Sequence, residues 1–333
     1  MDRFQTHFNY VQTHSFLNCQ GRIFKFIDYS TDIALILIML SKYNTLLSVV
    51  LFIPRGGIFI PGFYDNFGIG LIAIFSFIVT GMECSFNATG KVAIVTGGAS
   101  GIGEATVWKF VEAGAAVGIL DINDEAANKL VSAIKSKGGN AIYKHCDMTS
   151  EVDIKSSIDE IAAAFGRLDY AYNNAGIGGD FAKVADYPTD NWDLVMSVNL
   201  RAVFLCMKYQ VPHILKQQRG AIVNCASVLS TVAYMNDSAY VASKFGVLGL
   251  TKNAALEYAT TGLRINSISP GFTLTSMIKN GGEEKLNKIA MKHAIERLAN
   301  PEEMAQGVIW LCSDAASFAI GLNLLLDGGY TLQ

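Results

Sequence analysis

From Lys91 to the C-terminus, short β-branched runs alternate with amphipathic stretches long enough to be helices, and this alternation restricts the fold more than any other feature. The runs Lys91–Thr96, Ala115–Asp121, Asn140–Asp147, Leu168–Asn173, Ala221–Cys225, Arg264–Ser269 and Leu322–Asp327 read as strands. Helical patterns occupy Gly101–Ala113, Asp124–Lys137, Glu151–Phe165, Asn191–Lys216, Ser238–Thr260 and Pro301–Cys312. Strands joined by helical crossovers run parallel, the crossovers are right-handed, and the helices cover both sheet faces. The expectation is an α/β protein with a doubly wound parallel sheet, a Rossmann fold in a single domain, its ligand site beyond the C-terminal ends of the strands.

Composition narrows the function. Hydrophobic residues make up 51% of the 333 positions and charged ones 17%, which excludes global disorder. A net charge of -3 offers no positive field for a phosphate backbone, which argues against a nucleic-acid partner. The six Cys residues are scattered without paired short spacing, so neither a zinc site nor a disulfide framework is expected, and no metal site is assigned. A reducing compartment, the cytoplasm, fits that usage.

The apolar excess is concentrated in residues 1–81, with runs at Ile33–Leu40, Leu46–Pro54 and Asn66–Gly81 broken by Lys42, Arg55 and Asp65. None reaches the roughly 20 apolar residues of a clean membrane span, though the last approaches it. Three readings stand: a membrane or re-entrant anchor, a secretory signal, or extra translated sequence ahead of a natural start at Met82. The signal fits worst, because the first 30 residues lack a compact apolar stretch. The third is preferred, since residues 82–333 read as a complete domain and residues 1–81 as an apolar extension. A membrane contact is expected only through that extension.

The segment Thr96-Gly97-Gly98-Ala99-Ser100-Gly101-Ile102-Gly103 follows the first strand and opens the first helix. Glycines there let the chain turn tightly and a phosphate approach the backbone, while the helix N-terminus supplies free N–H donors. The second strand ends in Asp121, eighteen positions beyond Gly103. A carboxylate at that place accepts bonds from ribose hydroxyls and repels a 2′-phosphate. Ser100 and Ile122, where a compensating base would sit, are uncharged, so NAD is favoured over NADP. Asp121 also suits a helix cap beside Asn123 and Asp124.

Tyr240 and Lys244 lie four apart in a helical pattern, on one face. A Tyr hydroxyl, with an ordinary pKa of about 10, is a poor base at neutral pH, and an adjacent ammonium favours its ionised form. Thirteen residues earlier, just past a strand, Ser227 can hydrogen-bond a substrate oxygen, a position that also suits a loop cap.

Taken together these motifs resemble the short-chain dehydrogenase/reductase family in its common single-domain form. The match runs from near Met82 to the end: the glycine turn at Thr96–Gly103, Asn173-Asn174-Ala175-Gly176, Asn199, Ser227, Tyr240, Lys244, Pro270-Gly271 with Thr273 and Thr275, and Asp327-Gly328-Gly329. The resemblance implies a catalytic set of Asn199, Ser227, Tyr240 and Lys244. Tyr240 would exchange the proton with the substrate oxygen, Ser227 would steady that oxygen, Lys244 would support Tyr240 and hold the nicotinamide ribose, and Asn199 would anchor a water. It further implies that the dinucleotide touches Gly97, Ser100, Gly101, Ile102, Gly103, Asp121, Ile122, Asp147, Met148, Asn174, Ala175, Gly176, Tyr240, Lys244, Pro270, Gly271, Thr273 and Thr275. Asp147 would meet the adenine, and Thr273 and Thr275 the carboxamide. A homotetramer is implied as well, with the helical stretches 191–216 and 238–260 at one interface.

The activity expected is hydride transfer between NAD(H) and a secondary alcohol or ketone. Leu229, Val232, Tyr234 and Met235 on one wall, and residues 272–285 with Leu274, Met277 and Ile278 as a cover, favour an apolar or cyclic substrate. No basic residue is expected in that pocket, and Gly281-Gly282 is a candidate hinge. Two rivals are a membrane-tethered dehydrogenase of sterols or retinoids and a catalytically inactive NAD-binding regulator.

Overall fold

A computed structural model describes residues 86–279 and 282–332, with the side chains of Met277 and Lys279 outside the description, and the backbone of four strands nearer the N-terminus. The chain divides into two compact units, Met1–Cys84 and Ser85–Gln333. In the first, β1 (Gln12–Leu17) pairs antiparallel with β2 (Ile23–Asp28), and β3 (Ile36–Leu40) with β4 (Leu46–Leu51). The run 66–81, the nearest approach to a membrane span, lies outside the described residues.

The second unit holds one seven-stranded parallel sheet. Its strands are β5 (Val92–Thr96), β6 (Ala116–Asp121), β7 (Ala141–His145), β8 (Tyr170–Asn173), β9 (Gly220–Cys225), β10 (Leu263–Pro270) and β11 (Asn323–Leu326). Their order is β11-β10-β9-β8-β5-β6-β7. The helices are α1 (Gly101–Glu112), α2 (Asp124–Ser136), α3 (Glu151–Phe165), α4 (Thr189–Met196), α5 (Ala202–Leu215), α6 (Ser238–Tyr258), α7 (Ser276–Lys279), α8 (Gly282–Ala290) and α9 (Pro301–Cys312). This is the doubly wound Rossmann arrangement expected, and every expected strand and helix is present within a few residues of its bounds.

Successive strand residues face opposite sides, and the core divides accordingly. In β5, Val92 and Ile94 join a cluster with Ile154, Ile158 and Ile161 of α3, Leu205 and Ile214 of α5 and Val247 of α6. Ala93 and Val95 face a second cluster with Val107 and Phe110 of α1, Leu130 and Ile134 of α2, and Val308 and Leu311 of α9. A strand buried on both faces must be apolar throughout, which is why the period-two pattern is absent from β5 and β9.

The expected helix 191–216 begins two residues earlier and has a local irregularity. Between α4 and α5 the chain makes a π turn over Ser197–Arg201. The segment Thr189–Leu215 is long and apolar enough to cross a membrane, but a row of its residues, from Val203 to Ile214, is buried in the first core cluster.

Strand order reverses between β5 and β8, which are neighbours in the sheet although five helices and strands separate them in sequence. Their C-terminal ends therefore open a crevice, the place where parallel α/β sheets bind ligands.

Candidate active site

The crevice is built from the turn after β5. Gly97 has φ 60°, a left-handed conformation that suits glycine. A Cβ on Gly103 would stand 2.0 Å from the Gly97 carbonyl oxygen and 2.8 Å from Asn174 Nδ2. No side chain fits there, so the start of α1 sits against the turn, and its N-terminus, which the Ser100 side chain does not cap, suits an anion. The residues present thus fit a dinucleotide pyrophosphate.

Two strands lock that turn. Thr96 Oγ1 accepts from the N–H groups of Asn174 at 2.9 Å and Ala175 at 3.0 Å, and Asn174 Nδ2 donates to the carbonyls of Thr96 and Gly97, each at 3.1 Å. Thr96 was in the sequence motif but was given no role there. Its signal is a hydroxyl at the last position of a buried strand. Asp121 does the corresponding work from β6: Oδ2 accepts from Ala99 N at 2.9 Å and Oδ1 from Asn123 N at 2.9 Å. It is thus a turn clamp while standing at the edge of the crevice.

Asp147 Oδ1 accepts from both N and Oγ1 of Thr149, at 2.8 and 2.9 Å, shaping the turn into α3. Met148 beside it is buried, whereas Ile122 is 64% exposed. Pro270 closes β10 opposite Leu326, Gly271 N donates to Leu326 O at 2.8 Å, and Thr273 Oγ1 donates to Gly271 O at 3.0 Å. The segment then folds over the glycine turn, since a Cβ on Gly101 would lie 3.0 Å from Thr275 Cγ2. Residues some 170 positions apart in sequence therefore wall one cleft.

On the other side of the switch point lie the four residues expected to be catalytic, of which Asn199, Tyr240 and Lys244 come together. Lys244 is buried, its Nζ donates to Cys225 O at 2.9 Å, and it lies 5.5 Å from the centroid of the Tyr240 ring. A Cβ on Gly176 would be 3.5 Å from Lys244 Nζ and 3.2 Å from Asn199 Oδ1, so the segment after β8, the π turn and α6 meet at one point. Asn199 is fully buried: its Oδ1 accepts from Ile177 N at 2.8 Å and its Nδ2 donates to Ile177 O at 2.9 Å and to Ser243 Oγ at 3.3 Å. Ser227 Oγ accepts from Leu229 N at 3.1 Å, which leaves its own O–H free to donate. Ser230 Oγ, a group the sequence did not single out, donates to Ser227 O and meets Ser269 Oγ at 3.1 Å, fixing the serine from behind.

The cover is more polar than expected. Lys292 Nζ donates to Tyr234 Oη at 3.2 Å, so the turn after α8 brings a basic side chain to one residue of the expected wall. His293, also unassigned from sequence, is buried and accepts from Phe272 N at 3.2 Å through Nε2. Of the expected wall, Leu229 is buried and Met235 is 82% exposed. Gly281 of the candidate hinge lies outside the described residues. Among the described residues no cluster of His, Cys, Asp and Glu is arranged to hold a metal ion.

A family model described as Enoyl-(Acyl carrier protein) reductase matches residues 97–331. A cyclohexanol dehydrogenase of Acinetobacter sp. (strain SE19) is 44% identical over 250 residues, covering 75% of this chain and 98% of that one. A 2,5-dichloro-2,5-cyclohexadiene-1,4-diol dehydrogenase of Sphingobium indicum is 43% identical over 252 residues, covering 74% and 98%. The crystal structure of an NAD+-bound xylitol dehydrogenase superposes with a TM-score of 0.69 at 33% identity, covering 73% of this chain and 99% of that one. The chain belongs to the short-chain dehydrogenase/reductase family, and with it to the oxidoreductases that work on CH–OH groups.

Proposed function

We propose that residues 82–333 form an NAD-dependent dehydrogenase that oxidises a secondary alcohol on an apolar ring to the ketone, or runs the reverse reaction. The observation that carries this reading is the buried Lys244 side chain, held on Cys225 O beside the Tyr240 ring and close to Gly176. The ring-alcohol substrate class is supported by the printed activities of the cyclohexanol and cyclohexadiene-diol relatives.

The dinucleotide would lie along Gly97, Ser100, Gly101, Ile102 and Gly103, with Asp121 and Ile122 at the ribose and Asp147 and Met148 at the adenine. Asn174, Ala175 and Gly176 line its middle, and Pro270, Gly271, Thr273 and Thr275 its carboxamide end. When bound, NAD accepts or supplies a hydride at the carbinol carbon. Ser227 O–H donates to the substrate oxygen and fixes it at Tyr240. Tyr240 Oη would take the proton as the alcohol is oxidised, with Lys244 Nζ 5.5 Å from the centroid of its ring. The Asn199 side chain is saturated by Ile177 and Ser243. Asn199 would anchor a water that passes the proton on from Lys244.

The same reading includes an assembly of identical copies. Met196, Leu200, Phe204, Gly246 and Leu250 form an open apolar groove between the 189–215 helix and α6, with Phe204 48% exposed. A second copy packing helix on helix would cover it. A reducing compartment, the cytoplasm, suits the buried free thiols Cys146, Cys206, Cys225 and Cys312.

The experiment is a panel of cyclic, linear and sugar alcohols assayed with NAD and NADP in parallel by cofactor absorbance, on the full chain and on a form beginning at Met82. Turnover of cyclohexanol-type alcohols with NAD by both forms is expected. Activity with NADP alone, or on sugar alcohols alone, would overturn it.

A further inference from the structure

The catalytic helix α6 starts over two polar groups that have nothing to bind. Asp237 is 7% exposed, and both its Oδ1 and the Oγ of Ser238 are buried without a hydrogen-bond partner. An Asp before a helix ordinarily caps it, as Asn123 and Ser150 do for α2 and α3, by accepting from an N–H inside the first turn. Asp237 makes no such side-chain bond. Only its main-chain carbonyl serves the helix, accepting from Val241 N at 3.0 Å.

The neighbours do not neutralise it. Burial alone pushes the carboxyl up to about 6, with no cation among the groups acting on it. The nearby Tyr187 hydroxyl is committed to Asn191 Oδ1 at 2.9 Å. A buried acceptor and a buried hydroxyl left open each cost a protein stability. Such a loss is held in place where the group has work to do.

Position says what the work is. Tyr240 stands in the first turn of α6, three residues after Asp237, which immediately precedes the helix. The chain at Asn236, with φ 66°, is in the left-handed region, and Ala182 N donates to Asn236 O at 3.0 Å. That bond, with Phe181 edge-on to Tyr234 at 6.4 Å, zips the loop after β8 to the segment entering α6. The two open groups therefore lie where the segment after β8 meets the one that enters α6, within three residues of Tyr240 along the chain.

We propose that Asp237 and Ser238 form a polar subsite for a second hydroxyl of the substrate, so that this enzyme prefers ring diols to the corresponding mono-ols. The distal hydroxyl donates to Asp237 Oδ1 and accepts from Ser238 Oγ, while the reacting hydroxyl rests on Ser227 and Tyr240. This deepens the reading above and rests on it.

The test reads one ratio: kcat/KM for the best of the vicinal and across-ring cyclohexanediols over kcat/KM for cyclohexanol, in wild type, Asp237→Leu, Asp237→Asn and Ser238→Ala. A hydrogen bond to a charged group predicts a ratio of at least about tenfold in wild type and a fall of about tenfold or more in Asp237→Leu. Asp237→Asn, which keeps an acceptor oxygen, retains more of the ratio than Asp237→Leu, and Ser238→Ala loses part of it. If Asp237→Leu does not fold, Ser238→Ala and Asp237→Asn carry the test, and an unmoved ratio in both overturns the subsite. A wild-type ratio near one, or an unchanged ratio in Asp237→Leu, also overturns it while leaving the dehydrogenase assignment standing. Absence of NAD-linked turnover with cyclohexanol and every diol sinks the dehydrogenase reading, and the subsite with it.

Discussion

Lys244 Nζ donates to the main-chain carbonyl of Cys225 at 2.9 Å, tying the middle of the first two turns of α6 to the C-terminal end of β9. The ammonium is only 3% exposed, and among the described residues it forms no ion pair with a carboxylate. A buried cation compensated by a carbonyl is a poor source of stability.

Lys244→Met therefore separates folding from chemistry. The variant should lose turnover by about a hundredfold or more, the range of a general acid-base contribution, while its melting temperature holds or rises. Thermal unfolding and cofactor-linked kinetics on one preparation check this. A large drop in melting temperature would instead make Lys244 a structural residue.

Tyr240→Phe removes one oxygen at the edge of a ring that is partly buried in α6. Turnover should fall by about a thousandfold, while the dissociation constant for NAD, read by fluorescence titration, stays within about threefold of wild type. Equal losses in both would mean that the phenol supports the cofactor site rather than the proton transfer.

Much of this was legible in the sequence because the decisive signals are local. A run such as Val92–Thr96, a glycine turn and a Tyr–Lys pair four apart each announce themselves within ten residues. The unread features depend on pairings across long separations. Nothing near Asp237 in sequence says that Ala182 bonds to Asn236 or that Tyr187 is already committed to Asn191. His293 was passed over because its contact with Phe272 N comes from the folding back of α8. The π turn at Ser197–Arg201 was hidden for another reason: one extra residue in a helical turn hardly alters an apolar pattern.

Asp121 clamps the glycine turn and is proposed to meet the ribose, and replacing it tests both roles. Asp121→Ala removes the acceptors of Ala99 N and Asn123 N as well as the negative charge at the ribose position. We expect kcat/KM with NAD to drop by about tenfold or more, since two bonds to a charged group are lost, and the NADP-to-NAD ratio to rise. Parallel kinetics with the two cofactors measures it. A ratio that stays fixed would confine Asp121 to clamping the turn.

Phe204 projects from the apolar groove between the 189–215 helix and α6. Phe204→Glu places a charge where a second copy would pack, and burying it unpaired opposes association. Light scattering should show wild type as an oligomer and the variant shifted to a smaller species. A wild-type monomer would remove the assembly from the account.

Asp237 makes a further prediction that needs no substrate. Its carboxyl is raised from an ordinary 3.8 to about 6 by burial, so the folded protein holds this proton more tightly than the unfolded chain. The sign follows: the contribution to stability is fully present below the unfolded value near 3.8, and is lost as pH rises through the folded value near 6. Above that window the ionised group is a burden whose ceiling, for a shift of about two pH units, is roughly 3 kcal/mol. Asp237→Asn carries no charge at any pH, so it should be more stable than wild type by about 1–3 kcal/mol near pH 8 and lose that advantage near pH 4. Denaturant midpoints for both proteins across this range decide it. A constant offset between the two curves would show that the carboxyl is not desolvated, and would remove the cost that the diol subsite is invoked to explain.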